Sequence, residues 1–152
     1  TVHNLRDLEL CYAPPFGTGK DAVNFAGYVA SNLLHGSFKQ VSMSQVRDLV
    51  EQNAYILDVR EMDEYEAGHV KSAKVIPLSQ LRDRYEEIPR DVPVYIHCRS
   101  GQRSYNAVLT LQAKGYTQVF NVSGGFVGIC AYEYFNDKIK GRTPIVTEYG
   151  LK

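Results

Sequence analysis

The chain carries no net charge, with 17 Lys and Arg set against 17 Asp and Glu in 152 residues. A neutral total supplies no global field for nucleic acid or a membrane surface, so neither is an expected partner. No apolar run approaches the roughly 20 residues of a membrane span. The opening residues lack the basic start and apolar centre of a secretory signal. Cysteine is scarce: Cys11, Cys98 and Cys130 make an odd number without metal-type spacing. That argues against a disulfide framework and against a zinc site, and no metal is expected. A cytoplasmic, reducing setting is expected instead. Internal repeats and low-complexity runs are missing, and so is the GxGxxG dinucleotide fingerprint. What remains is an ordinary globular composition, 44% apolar and 22% charged, long enough for one domain with an appendage.

One further absence is local. Between Asp91 and Glu133 there is no acidic residue, yet Arg99, Arg103 and Lys114 all fall there, while residues 58–91 are rich in acids. An anion approaching the first stretch therefore meets positive charge in a protein that is not basic overall. Within it, Val94 to Cys98 reads as a short buried strand. The pattern breaks at a polar turn carrying Gly101 and resumes as a helix over 102–114, stopped by Gly115. Strand, tight loop and helix put Cys98 at the carboxyl edge of a sheet, with loop amides and a helix N-terminus aimed at its sulfur. A thiolate is stabilised there. A pKa two below the free-thiol value of about 8.5 corresponds to about 2.7 kcal/mol. Four residues separate Cys98 from Arg103, so the loop is a small cradle closed by a guanidinium. Arg103 is expected to offer a two-pronged grip to a tetrahedral oxyanion, with Arg99 adding positive charge at the rim.

The surrounding pattern is alternating. Strands are expected at 38–41, 55–60, 74–76 and 118–122. Helices are expected from a Ser42 or Ser44 cap to about Asn53, over 61–67, after a Ser79 cap, and beyond Ser123-Gly124-Gly125. Such alternation indicates an α/β fold with a parallel sheet. Ahead of it, a loop around Pro14 and Pro15 precedes an Asp21-capped helix whose apolar positions are Val23, Phe25, Ala26, Val29, Ala30, Leu33 and Leu34. A single helix cannot bury those side chains unaided, so they are expected to pack on the following domain or on a missing body. Residues 1–36, 37–136 and 137–152 thus read as appendage, domain and tail. The tail is expected to pack as an extended segment, to be mobile, or to contact a missing body of the protein.

His97-Cys98-Arg99-Ser100-Gly101-Gln102-Arg103-Ser104 resembles the active-site loop of rhodanese-type sulfurtransferases. Asp58-Val59-Arg60, Glu64-Tyr65, Gly68-His69-Val70, Ala73, Ile76-Pro77-Leu78 and Gly124-Gly125 resemble the landmarks of that family, in order. The resemblance implies a rhodanese-like parallel sheet with helices on both faces. It implies Cys98 as nucleophile and persulfide carrier, taking sulfane sulfur from small donors and passing it to thiol acceptors. Arg99, Ser100, Gly101, Gln102, Arg103 and Ser104 would form the anion-binding loop, with Asp58 and Arg60 as a supporting ion pair. His69 is expected to be structural. His97 points away from Cys98 by strand alternation and is not its base. Cys130 is read as core, and its pairing with Cys98 is open, as is that of Cys11. Related phosphatases and arsenate reductases have a loop one residue longer, so the short loop favours sulfur transfer over that alternative. A non-catalytic interaction domain is the opposing class.

The first segment carries its own resemblance. Leu8-Glu9-Leu10-Cys11-Tyr12-Ala13-Pro14-Pro15-Phe16, followed by Asp21-Ala22-Val23-Asn24, resembles the end of the dimerisation domain in flavin-dependent pyridine nucleotide–disulfide reductases. It is most similar to the coenzyme A-disulfide reductase and NADH oxidase branch. This implies a piece of a longer homodimeric parent using FAD, NAD(P)H and coenzyme A, whose reductase domain partners the rhodanese-like domain. The piece itself is expected to hold no cofactor. Tyr12 would be a reductase-site residue and Cys11 a packing residue.

Overall fold

The computed structural model describes residues 1–11, 15–16 and 19–150. Tyr12 and Pro14, and the end of the tail at Leu151 and Lys152, lie outside the described residues. The chain divides into two compact units, Thr1–Lys39 and Gln40–Lys152.

The first unit holds α1 (Val2–Arg6) and α2 (Ala22–Leu34). Asp21 caps α2, its side chain accepting from the Val23 amide at 3.0 Å, as its sequence position implies. Helix α1 departs from the sequence expectation, because five residues are too few to show periodicity. It is held from outside: the Asn24 amide donates to the carbonyls of Leu5, Arg6 and Leu8 at 3.2, 3.3 and 3.0 Å. The first two are end carbonyls that a helix leaves without partners, and Leu8 lies just beyond the helix. The buried face of α2 is therefore Asn24, Gly27 and Ser31, not the apolar positions. Phe25 and Leu34 remain 54% and 69% exposed.

The second unit is built on a five-stranded sheet of order β1-β5-β4-β2-β3. Its strands are β1 (Lys39–Ser42), β2 (Tyr55–Asp58), β3 (Lys74–Val75), β4 (Val94–His97) and β5 (Val119–Ser123). The β2–β3, β2–β4 and β4–β5 registers are all parallel. The helices are α3 (Val46–Glu51), α4 (Met62–Glu66), α5 (Leu81–Arg84), α6 (Gln102–Ala113) and α7 (Gly125–Lys140). Val46, Ile56, Val70, Val122, Phe126, Ile129 and Cys130 share one apolar cluster. Helix α6 packs on β4 and β5 and buries Ala107, Val108 and Leu111. Ser42 is the cap before α3. Ser79 is not a cap: α5 starts after Gln80, and the Ser79 hydroxyl donates to the Glu61 carboxylate at 3.3 Å.

The division drawn after residue 136 falls inside α7, which continues to a left-handed Gly141. Beyond it the chain returns to the same core. Ile145 and Val146 are 5% and 2% exposed and join the cluster of Phe126 and Ile129. Val146 bridges Val70 in antiparallel register, and the Lys71 amide donates to the Ile145 carbonyl at 2.9 Å. A buried charge set secures this return. Arg47 and Arg142 both pair with Glu133 and Asp137, and the Tyr149 hydroxyl donates to Asp137 at 2.6 Å. Sequence patterning alone could not show this, because two apolar residues in a short segment carry no period. Ile145→Ala is expected to destabilise the unit by about 2–4 kcal/mol in urea unfolding, the range for a buried Ile truncation. A loss below about 0.5 kcal/mol, the range of surface substitutions, would mean that the segment is not part of the core.

Candidate functional site

Strand β4 ends at His97, and Cys98 is the next residue, 1% exposed. Register pairs His97 with Asp58 on β2, so both strands deliver their last residues to the carboxyl edge, where open α/β sheets place ligands. The chain then turns through Gly101, whose φ of +120° is open to glycine and strained for other residues. That turn aims the Gly101 amide at the Cys98 sulfur, 3.1 Å away. The Ser104 hydroxyl, fully buried, lies 3.5 Å from the same sulfur and 3.0 Å from the Gly101 carbonyl.

These donors decide the charge of the thiol. Burial pushes the Cys98 pKa up, but the Ser104 hydroxyl and the amides of Ser104, Gly101 and Ser100 pull harder, leaving it below its ordinary value. Cys130, buried on α7 without such donors, is pushed up to about 11. All three cysteines are free thiols.

Cradle amides can face inward only if the loop's carbonyls find partners elsewhere. They do: the Phe126 and Val127 amides at the start of α7 donate to the Cys98 and Arg99 carbonyls at 2.7 and 3.0 Å. The approach requires Gly125, where a Cβ would stand 2.7 Å from the Cys98 oxygen and from the Arg99 carbonyl group.

The other expected residues take the following places. Arg60 grips Asp58 through Nε and Nη2, the Nη2 contact being 2.6 Å, and donates to the carbonyls of Glu64 and Gly68 at 3.1 and 2.8 Å. Its guanidinium also lies 4.1 Å above the Phe126 ring. The pair thereby ties β2, α4 and α7 together. His97 is fully buried, 3.8 Å from Asp58, and burial lowers its pKa, so it is neutral. His69 stacks on Tyr65 with ring centroids 4.0 Å apart. The side chains of Arg99, Ser100 and Gln102 are exposed. Ser100 reaches the sulfur through its amide, not through its hydroxyl.

Arg103 lies at the end of the loop with a partner the sequence expectation did not include. Its two prongs are already engaged, Nη1 and Nη2 donating to the two oxygens of Glu64 at 2.6 and 2.8 Å. The pair links the loop to α4. Glu64 was visible only as a landmark in the sequence. The hint that it mattered was the acid-poor arginine stretch, whose compensating carboxylate comes from the acid-rich segment 39 residues away.

A buried cysteine whose pKa is lowered by loop amides, on a strand-to-helix loop of a parallel α/β sheet, defines a class of cysteine-loop domains. The chain belongs to the rhodanese-like domain family, whose model matches residues 42–132. It is 37% identical over 76 residues to a sulfurtransferase of Allochromatium vinosum, covering 50% of this chain and 71% of that one. Among solved structures it is similar to the reduced CoADR-RHD of Bacillus anthracis, at 48% identity and a TM-score of 0.79. It is also similar to a NAD-dependent persulfide reductase from A. fulgidus, at 33% identity and a TM-score of 0.71. Each superposition covers 83% of this chain but 22% of the other. The chain likewise spans 60% and 49% of two curated relatives from Bacillus subtilis. It therefore carries a rhodanese-like domain, similar in structure to part of the CoADR-RHD and persulfide reductase chains. Among the described residues no helix is long and apolar enough to cross a membrane, and no cluster of His, Cys, Asp and Glu could hold a metal ion.

The site makes a titration prediction. Thiolate absorbance near 240 nm, taken as the difference between this chain and Cys98→Ser, should titrate below the free-thiol value of about 8.5. Ser104→Ala and Gly125→Ala should each move that midpoint up. Because the folded pKa is the lower one, Cys98 contributes stability that is fully present above the unfolded pKa and is lost as pH falls through the folded pKa. A midpoint at or above 8.5 would contradict the cradle.

Proposed function

We propose that Cys98 is the nucleophile of a sulfurtransferase and carries sulfane sulfur as a persulfide. The single observation carrying this reading is the convergence of the Gly101 amide at 3.1 Å and the Ser104 hydroxyl at 3.5 Å on a buried sulfur at a strand end. The Cys98 thiolate attacks the outer sulfur of a donor R–S–SH. A new S–S bond forms, and the donor S–S bond breaks with its electron pair leaving on R–S⁻. An acceptor thiolate then attacks the outer sulfur of the Cys98 persulfide and restores the Cys98 thiolate. Sulfur is transferred without net oxidation, so no further electron carrier enters. The amides of Ser100, Gly101 and Ser104 that favour the thiolate also favour the terminal persulfide anion. Arg99, exposed beside the loop, would orient an anionic donor or a coenzyme A-type thiol. Asp58 and Arg60 support the loop without touching substrate.

The wider context belongs to the same proposal. The 83% superposition on the two reductase chains is longer than residues 42–152 alone can supply, so the similarity extends into the first unit. That supports reading the chain as part of a coenzyme A-disulfide or persulfide reductase that works as a homodimer in a reducing cytoplasm, with its reductase domain as sulfur partner. The residues here include no dinucleotide fingerprint. FAD and NAD(P)H would then belong to the reductase domain and would supply reducing electrons there.

Cyanide-dependent thiocyanate production should be measured with thiosulfate and with coenzyme A or glutathione persulfide. Turnover by this chain and a loss of at least about a thousandfold in Cys98→Ser are expected, the scale for removing a covalent nucleophile. Mass spectrometry after donor alone should find one added sulfur on Cys98. A folded protein with a free thiol that turns over no donor would sink the assignment.

A further inference from the structure

Of the guanidiniums on the Cys98 loop, Arg103 is the one most completely engaged. The fork to Glu64 engages both terminal nitrogens, one hydrogen bond from each, and bidentate pairs of this kind are among the stronger charge-assisted contacts. Glu64 is not a loose partner. Its backbone carbonyl accepts from Arg60 at 3.1 Å, and Arg60 is itself locked onto buried Asp58. The carboxylate therefore rides on a short helix whose position the sheet edge holds. Both members of the pair remain partly open, with side chains 33% and 26% exposed, so an incoming anion meets a neutralised pair rather than a free cation. What remains for substrate is the set of loop amides and the exposed, carboxylate-free Arg99.

This arrangement discriminates between donors. Thiosulfate carries two negative charges next to the sulfur being transferred, where the Glu64 carboxylate would oppose them. An organic persulfide offers only its terminal sulfur to the amides and leaves its substituent near the rim. We propose that Glu64 is a specificity-determining residue: by occupying Arg103 it withdraws that guanidinium from anion binding and tilts the site towards organic persulfides over tetrahedral dianions. The proposal rests on the sulfurtransferase reading for its substrates, but its anion-binding content stands apart from turnover.

Glu64→Gln keeps the shape of the side chain and removes its charge. Two measurements decide the matter. The first is sulfate affinity, read from the chemical shift of the Gly101 amide; the second is kcat/KM with thiosulfate and with the persulfide of uncharged mercaptoethanol, cyanide being the acceptor. In Glu64→Gln, sulfate Kd and thiosulfate KM should fall about tenfold, the scale of one charge-assisted hydrogen bond regained. The mercaptoethanol persulfide should change less than about twofold, well inside that scale. Adding Arg103→Met should return sulfate affinity to the starting value. Glu64→Asp, one methylene shorter, is a second variant with the same direction and a smaller gain. Unchanged or weaker sulfate binding in both variants, with equal losses for the two donors, would reduce Glu64 to a loop support and overturn the proposal. If the unaltered chain transfers sulfur from neither donor, the sulfurtransferase reading fails while the sulfate measurement still judges Glu64.

Discussion

A backbone loop can turn several amides towards one atom only when its carbonyls are satisfied on the other side. This constraint governs the second unit. The Cys98 and Arg99 carbonyls are taken by the first amides of α7, so the docking of α7 supports the cradle from behind. The docking has its own supports. Phe126 and Ile129 belong to the cluster that Ile145 and Val146 complete, and Glu133 and Asp137 hold Arg47 and Arg142. The last described residues of the unit are thereby coupled to the chemistry of a sulfur on another element.

Charge follows a similar logic. The acid-free stretch around Cys98 suggests a cradle of free cations, but Glu64 closes the fork of Arg103 from α4. The lowered pKa of Cys98 then rests on hydrogen-bond donors, the Ser104 hydroxyl and the amides of Ser104, Gly101 and Ser100. Dipoles held by backbone geometry need no reorganisation during transfer. Asp58, Arg60 and Glu64 link the sheet edge to the loop, so a pair that invites a catalytic reading acts as the mounting for one.

Much of this was legible beforehand, for physical reasons that can be named. Strand and helix patterns around Cys98 are local and strongly punctuated, with Gly101 and Gly115 marking the breaks, and the helix over Gln102–Ala113 follows them closely. Asp21 and Ser42 act where a short polar side chain precedes a helical pattern. Ser79 satisfies the same local rule and fails, because the Glu61 carboxylate is a better partner than a helix end. Helix α1 and the return of Ile145 and Val146 left no period to read. The apolar positions of α2 announced a helix, yet its buried face is Asn24, Gly27 and Ser31, since carbonyls at the end of α1 needed a donor.

The α/β alternation, the placing of Cys98 at a strand end before a helix and the short loop to Arg103 follow from the residues alone. Each of these depends on residues a few positions apart, whose local sterics and hydrogen bonding are nearly independent of the rest of the chain. The pairing of Arg103 with Glu64, the bonding of α7 to the back of the loop and the place of the segment after Gly141 in the core arise from packing in three dimensions. Those outcomes join residues distant in sequence, and burial and electrostatics choose such partners by proximity in the fold.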